Sequence, residues 1–387
     1  MPTVNIERRW RRCSPAEPSR LPGHDRPRPE QRPKAEARAG PAFVRLERWR
    51  PGLAPALEGA IVTRDLVVGG QRWSKGRRLS ADDLARLSTF EGEVGTLIVA
   101  EAGDVHEDDA AVKLADAIAG PNLQRRGPAQ SRLDLVAAAP GVLHVRVRAL
   151  ERLNRIDPLE VFTALDGQVV EAGDLVASVK VAPHVVPASA LQDAGRIAAF
   201  GRRPLVWVAA FVPMRVAVVV KESIHAPARQ RFEASVRAKV EALGSRIVSF
   251  GYVADAVEPV GEAISRVASG PQRADLVLTA GGRSTDPADP FFLGIEALGG
   301  RVVRRGVPAH PGSMLWLARI GRTGVVGLPT CGAYSMATAA DLVLPRLLTG
   351  EPVSARAVAG LGHGGILSRD MRFRFPRYAR ELEAPEG

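Results

Sequence analysis

Residues 274–289, ADLVLTAGGRSTDPAD, run an apolar segment into two glycines, two hydroxyls and two carboxylates. A strand that empties into such a turn leaves backbone N–H groups free to face an anion at its carboxyl end, where open α/β sheets hold their ligands. Gly281 and Gly282 permit a close backbone approach, and Ser284 and Thr285 add hydroxyl donors, so this loop can hold a phosphate without any cation. Arg283 adds a fork if it turns inward. From this loop alone, a plain strand-to-helix turn is the competing reading. Asp286 and Asp289 cannot both face one anion. One is expected to cap the following helix, and the other to hold Mg²⁺ or accept hydrogen bonds from a heterocycle; Asp289 is expected to be the one that faces the ligand.

A second junction of the same kind occupies 324–335, GVVGLPTCGAYS, where a strand ends in Leu328-Pro329 and a helix is expected to start. Thr330, Cys331 and Ser335 fall in a segment that offers N–H groups at a helix start. An exposed Cys331 would there have a lowered pKa, the alternative being a small packed side chain. Two anion cradles on one sheet imply one binding crevice.

The elements that must position these loops follow from periodicity. Over 213–350 short strands and helices alternate: 214–221 is a continuous apolar strand, 229–243 a helix, 246–250 a strand, 257–267 a helix and 275–279 a strand. A helix at 290–298, strands near 302, 314–320 and 325–328, and a closing helix over 333–348 complete the series. This alternation predicts an α/β, three-layer, mostly parallel sheet. Residues 43–212 read as a smaller α+β region, β-rich in its second half. There Ser80 is expected to cap one helix and Asp104, with Glu107, a second; Lys75-Gly76 marks a turn. The run His106, Glu107, Asp108, Asp109 reads as first-turn acids favoured by the helix dipole in preference to a metal site. Residues 351–387 form a C-terminal extension. Its Gly-rich run from Gly360 to Gly365 has no feeding strand and reads as a loop, not a dinucleotide fingerprint.

Bulk properties narrow the function classes. The formal charge of +11 is carried largely by arginine, and residues 1–42 are so rich in Arg and Pro that they read as a disordered tail. A start codon placed too early would give the same tail. Its acids argue against a transit peptide, and it lacks the apolar stretch of a secretory signal, so a cytoplasmic location is expected. Two cysteines, Cys13 and Cys331, exclude a disulfide framework. No apolar run suits a membrane span. With 5 % aromatic residues there is no stacking platform for nucleic acid. No Walker A sequence, Ser-His-Asp set or metal-spaced histidines occur.

The ordered pieces Thr279-x-Gly281-Gly282-x-Ser284 then Asp289, Pro311-Gly312, and Gly327-Leu328-Pro329 before a helix ending in Leu344-Pro345 resemble the molybdopterin-binding domain. That domain is shared by molybdopterin adenylyltransferases, molybdopterin molybdotransferases and gephyrin. Lys75-Gly76, the run from Gly103 to Glu107, the run from Asp286 to Asp289 and the run from Leu361 to Gly365 are similar to a group of bacterial stand-alone molybdopterin-binding proteins. The resemblance implies an anionic pterin ligand, molybdopterin or the molybdenum cofactor, held by Thr279, Gly281, Gly282, Ser284, Thr285, Asp289, Pro311, Gly312, Pro329, Thr330, Cys331 and Ser335. It makes Mg²⁺ at Asp286 and Asp289 an option, and implies a homo-oligomer and a molybdoenzyme client. The chain departs from the molybdotransferase pattern. Lys221-Glu222-Ser223-Ile224 stands for T-G-D-E, His310-Pro311-Gly312-Ser313-Met314 for K-P-G-K-P, and Leu328-Pro329-Thr330-Cys331-Gly332 for L-P-G-N-P; S-x-M-D-G-Y-A is missing. Losing those lysines and acids removes the apparatus for inserting molybdate while leaving the pterin cradle. Binding is therefore expected over catalysis, with an active molybdotransferase or adenylyltransferase as the alternative.

Overall fold

The computed structural model describes residues 45–221, 226–328, 337–352 and 354–380. The chain divides into two units, Met1–Phe43 and Val44–Gly387, and every described residue lies in the second. The Arg- and Pro-rich tail and Pro329, Thr330, Cys331 and Ser335 lie outside the described residues.

The first 170 or so described residues are α+β and rich in antiparallel strands. Helix Ala81–Ser88 starts at the expected Ser80 cap, whose hydroxyl accepts the Asp83 N–H at 3.2 Å, and the Asp83 carboxylate returns a bond by accepting the Ser80 N–H at 3.2 Å. The second expected cap is corrected. Asp104–His106 pairs as a strand with Val185–Pro187, so its backbone is extended and helix Glu107–Ile118 cannot begin until His106, whose Nδ1 accepts the Asp108 N–H. The Asp104 carboxylate instead takes the Glu101 N–H at 2.9 Å. That helix and Ala188–Ala199 cover a four-stranded antiparallel sheet through a core that includes Leu114, Ile118, Leu133, Leu135 and Val179.

The rest is an α/β unit whose strands are β1 (Arg215–Val220), β2 (Arg246–Tyr252), β3 (Leu276–Ala280), β4 (Arg301–Arg305), β5 (Trp316–Ile320) and β6 (Thr323–Gly327). They form one six-stranded sheet in the order β2-β1-β3-β6-β5-β4. The first four in that order are parallel, and β5 and β4 complete it antiparallel. Helices α1 (Ala226–Glu241), α2 (Val257–Ala268), α3 (Pro290–Ala297) and α4 (Ala340–Leu347) cover both faces. This explains the unbroken apolar run of β1. Val216, Val218 and Val220 face a core with Phe232, Val236 and Val343, while Ala217 and Val219 face Val260, Ile264 and Phe291. Fully burying each valine contributes about 1.5–3 kcal/mol, so strands of this kind fix which elements lie at the sheet's centre.

The closing helix starts later than expected. Residues 337–339 are not helical; the Thr338 hydroxyl accepts the Ala340 N–H at 3.2 Å and the Asp341 carboxylate accepts the Thr338 N–H at 2.9 Å, which sets the start at Ala340. The Gly-rich C-terminal run, expected to be a loop, begins as a 3-10 turn at Gly360–Gly362 that continues helix Ala355–Ala359, and only 363–365 is irregular. It docks on the α/β unit through His310 N–H to Gly365 C=O at 2.7 Å and Leu367 N–H to His310 C=O at 2.8 Å.

Candidate functional site: one rim of the parallel sheet

The registers Val220↔Tyr252, Val220↔Ala280 and Thr279↔Gly327 bring the carboxyl ends of β1, β2, β3 and β6 to the same line. The Leu328 N–H donates to Thr279 C=O at 2.8 Å, so the chain leaving β6 departs beside the turn that leaves β3. β3 and β6, the strands that lead into the two junctions, therefore end at one rim. Gly281 has φ +83°, which only glycine adopts at no steric cost, and a side chain on Gly282 would lie 3.3 Å from the Phe291 ring. At Gly327 a Cβ would meet Trp316 Nε1 at 1.9 Å, so the buried indole occupies the space a side chain there would need.

The 281–289 loop is held from below by Asp289, which is 1 % exposed. Its Oδ1 accepts the Phe291 N–H at 2.9 Å, capping α3; its Oδ2 accepts the Arg283 N–H at 2.7 Å. Lys221 Nζ, at the end of β1, lies 2.8 Å from the same Oδ2 and 2.7 Å from Asp255 Oδ1, with its side chain wholly buried. Arg283 extends the chain of charges, 3.2 Å from Asp255 and 3.7 Å from Asp286. The Lys221 hydrogen bond is the main cause that holds the Asp255 carboxyl below the usual aspartate range; burial opposes it and the Arg283 charge adds to it. A buried ammonium thus ties three loops of the rim together.

Residues 218–349 match the model of a family described as "Probable molybdopterin binding domain". This segment is a molybdopterin-binding-family domain. No curated protein matches the chain. Among solved structures, the chain is similar to a molybdopterin biosynthesis MoeA protein from Pyrococcus horikosii, at 15 % identity and a TM-score of 0.28, over 67 % of this chain and 81 % of that one. It is also similar to molybdenum cofactor biosynthesis protein B, at 15 % identity and a TM-score of 0.26, over 40 % of this chain and 99 % of that one.

Within the molybdopterin-binding domain the expected site residues separate into two groups. Gly281, Gly282 and Ser284 are half-buried at the rim and Thr285 is exposed there. Among the described residues, neither the Ser284 nor the Thr285 hydroxyl has a hydrogen-bond partner. The other group is turned to protein. Thr279 is buried and donates to Val326 C=O at 3.3 Å across the sheet. Pro311 and Gly312 are buried against the start of α4: the Pro311 C=O accepts the Ala339 N–H at 2.9 Å, and a Cβ on Gly312 would meet that same nitrogen at 2.9 Å. Asp289, expected to face the ligand, is the helix cap, with both oxygens committed to three protein donors. Asp286 accepts the Ala288 N–H at 2.9 Å and also faces Arg283. Among the described residues no group of three or more His, Cys, Asp or Glu side chains is placed to hold a metal.

Two rim residues carry more than their sequence signal suggested. In the sequence Lys221 stands out only as the residue that opens the Lys221-Glu222-Ser223-Ile224 segment in place of T-G-D-E. Asp255 had no signal beyond following β2, because its pairing with Lys221 depends on β2 and β1 being neighbours in the sheet.

Proposed function

We propose that the protein binds molybdopterin or the molybdenum cofactor through its phosphate, acting in cofactor biosynthesis or in delivery to a molybdoenzyme. The observation that carries this reading is the common rim: a positive-φ glycine turn that carries Ser284 and Thr285 lies beside the exit from β6. In this reading Gly281 and Gly282 allow the phosphate close to the backbone, Ser284 and Thr285 donate to it, and Pro329, Thr330, Cys331 and Ser335 belong to the second cradle. Asp289 and Lys221 hold the first loop in shape, and Arg283 offers a partly exposed positive charge beside it. The same reading takes the protein to be a cytoplasmic homo-oligomer.

The reading favours binding over catalysis because Lys221, buried at the rim, is already engaged by two carboxylates. The test is to incubate the protein with molybdopterin, Mg²⁺, ATP and molybdate. Stoichiometric retention of the pterin without turnover is expected, and turnover to an adenylylated or molybdenum-loaded product would replace this reading with the transferase. Mass spectrometry of small molecules released from protein made in a cofactor-producing cell identifies the ligand. Its failure to find any pterin would sink both readings.

A further inference from the structure

The sheet has a second opening, at the end of its strands opposite the rim. There the registers Leu276↔Gly324 and Arg319↔Gly324 mark where β3 and β6 begin and β5 ends. On the face that also carries α4, Leu276, Val303, Leu317 and Val326, one residue from each of four strands, floor a half-open groove of about 370 Å³ walled by Met214 and Leu347. The space exists because α4 stops at Leu347 and Gly324 brings no side chain; a Cβ there would already lie 3.1 Å from the Leu276 side chain. A groove of this volume falls in the range of pockets that hold small organic molecules.

Two exposed guanidiniums line the same groove, Arg319 at the end of β5 and Arg322 on the turn into β6. Arg319 Nε donates to the Gly321 carbonyl at 2.5 Å, and its two terminal nitrogens have no partner among the described residues. The Arg322 side chain makes no hydrogen bond or ion pair among them at all. Arg301, the cross-strand neighbour of Arg319, also has no acid there, although like charges in such positions are unfavourable. Two carboxylates line the groove as well, but each is engaged. Asp275 Oδ2 accepts the Arg215 N–H at 3.0 Å while its Oδ1 lies 4.0 Å from Arg273, and Glu351 holds Arg203 at 2.7 Å. An apolar floor beside two unpaired forks is complementary to a molecule with an apolar body and an acid at one end.

We propose that this groove binds an amphipathic carboxylate, with an acyl or aryl body laid on Leu276, Leu317 and Val326 and the carboxylate held by Arg319 and Arg322. A carboxylate matches a guanidinium fork with two parallel hydrogen bonds, whereas a neutral or cationic molecule of the same shape leaves both arginines uncompensated. The groove opens at the opposite end of the strands from the 281–289 loop, so the proposal does not rest on the pterin reading.

The probe is octanoate, titrated calorimetrically below its micelle concentration into the full-length protein, with 1-octanol and octylammonium as neutral and cationic controls. Saturable binding of octanoate is expected, with both controls about tenfold weaker or more. Arg322→Gln should weaken octanoate about tenfold, the loss typical of a charge-assisted hydrogen bond, and Arg322→Lys, which keeps the charge but not the fork, should fall between. Val303→Phe narrows the groove and should weaken binding with both arginines in place. Unfolding without octanoate checks that the variants fold, and octanoate should raise the wild-type midpoint more than that of Arg322→Gln. A parallel titration with 2-naphthoate separates the bodies: tighter binding than octanoate identifies an aryl ligand, and weaker binding an acyl one. The proposal is overturned if neither carboxylate gives a saturable signal, if 1-octanol binds as tightly as octanoate, or if Arg322→Gln and Val303→Phe both leave the affinity unchanged. It is equally overturned if sedimentation shows a dimer that Val303→Phe converts to monomer, since a second copy of the chain would then cover the groove.

Discussion

Replacing Asp289 tests whether the rim loop is built as described. The carboxylate serves three donors at once: the Phe291 N–H at 2.9 Å, the Arg283 N–H at 2.7 Å and Lys221 Nζ at 2.8 Å. Removing an N-cap costs about 1 kcal/mol, and a hydrogen bond to a charged group contributes about 1.5–3 kcal/mol. Breaking a buried ion pair by deleting one partner costs about 3–5 kcal/mol, because the survivor is left unpaired. These costs do not add, since one side chain carries all three, and Lys221 keeps Asp255 at 2.7 Å as a second partner. Asp289→Ala is therefore expected to lose about 3–5 kcal/mol, taking the buried-pair figure as the governing one. Asp289→Asn should lose less, because asparagine caps as well as aspartate and only the charge is gone. Adding Lys221→Met to Asp289→Asn should recover part of the loss by removing the buried ammonium that the asparagine no longer neutralises. Urea unfolding followed by circular dichroism reads each value as the shift in midpoint multiplied by the slope. A loss below about 1 kcal/mol for Asp289→Ala would refute the buried cap and pair. Pterin retention adds a second readout. If Asp289 acts only by shaping the loop, Asp289→Asn retains the pterin wherever it remains folded; loss of retention in a stable Asp289→Asn protein would show that the carboxylate touches the ligand.

Other substitutions separate ligand contacts from packing. Ser284→Ala should leave stability within about 0.5 kcal/mol and weaken pterin retention by about 0.5–1.5 kcal/mol, measured by equilibrium dialysis; unchanged retention would remove Ser284 from the site. Gly327→Ala places a methyl 1.9 Å from Trp316 Nε1 and should cost about 1–3 kcal/mol in urea unfolding, with Trp316→Phe in the same chain recovering part of it; additive losses would show that the indole is not the obstacle. The Tyr252 phenol is pushed up to about 12, first by burial and then by its hydrogen bond to Glu233. Its contribution to stability is thus complete below the ordinary value of 10.0 and is lost as pH rises towards about 12, since the unfolded chain gives up that proton first. Tyr252→Phe should flatten this alkaline loss and remove one late phenolate from the absorbance titration; a Tyr252 phenolate appearing near 10.0 would contradict the buried Glu233 bond.

The parallel sheet could be read from the sequence because its cause is local. A strand covered on both faces must be apolar at every position, and 215–220 satisfies this without any alternation. The rim position of the glycine turn then follows from strand polarity. The choice between Asp286 and Asp289 had a cue as well: Asp289 precedes Pro290, and a capping residue followed by proline at the first helical position, ahead of the apolar run Phe291-Phe292-Leu293, is a helix start. Where the reading went wrong at Asp104, the cause is long-range: only the pairing of 104–106 with Val185–Pro187, some 80 residues on, makes that segment extended and moves the cap to His106. The Lys221–Asp255–Asp289 cluster was hidden for the same reason. Its members are spread over three loops, and they meet only because the sheet order places β1 between β2 and β3. A periodic pattern reports the faces of one element, whereas this cluster is a property of the order of elements. It follows that a charged residue closing an apolar parallel strand, as Lys221 does, is best read by asking which acids end the two neighbouring strands, and here that question leads to Asp255 and Asp289.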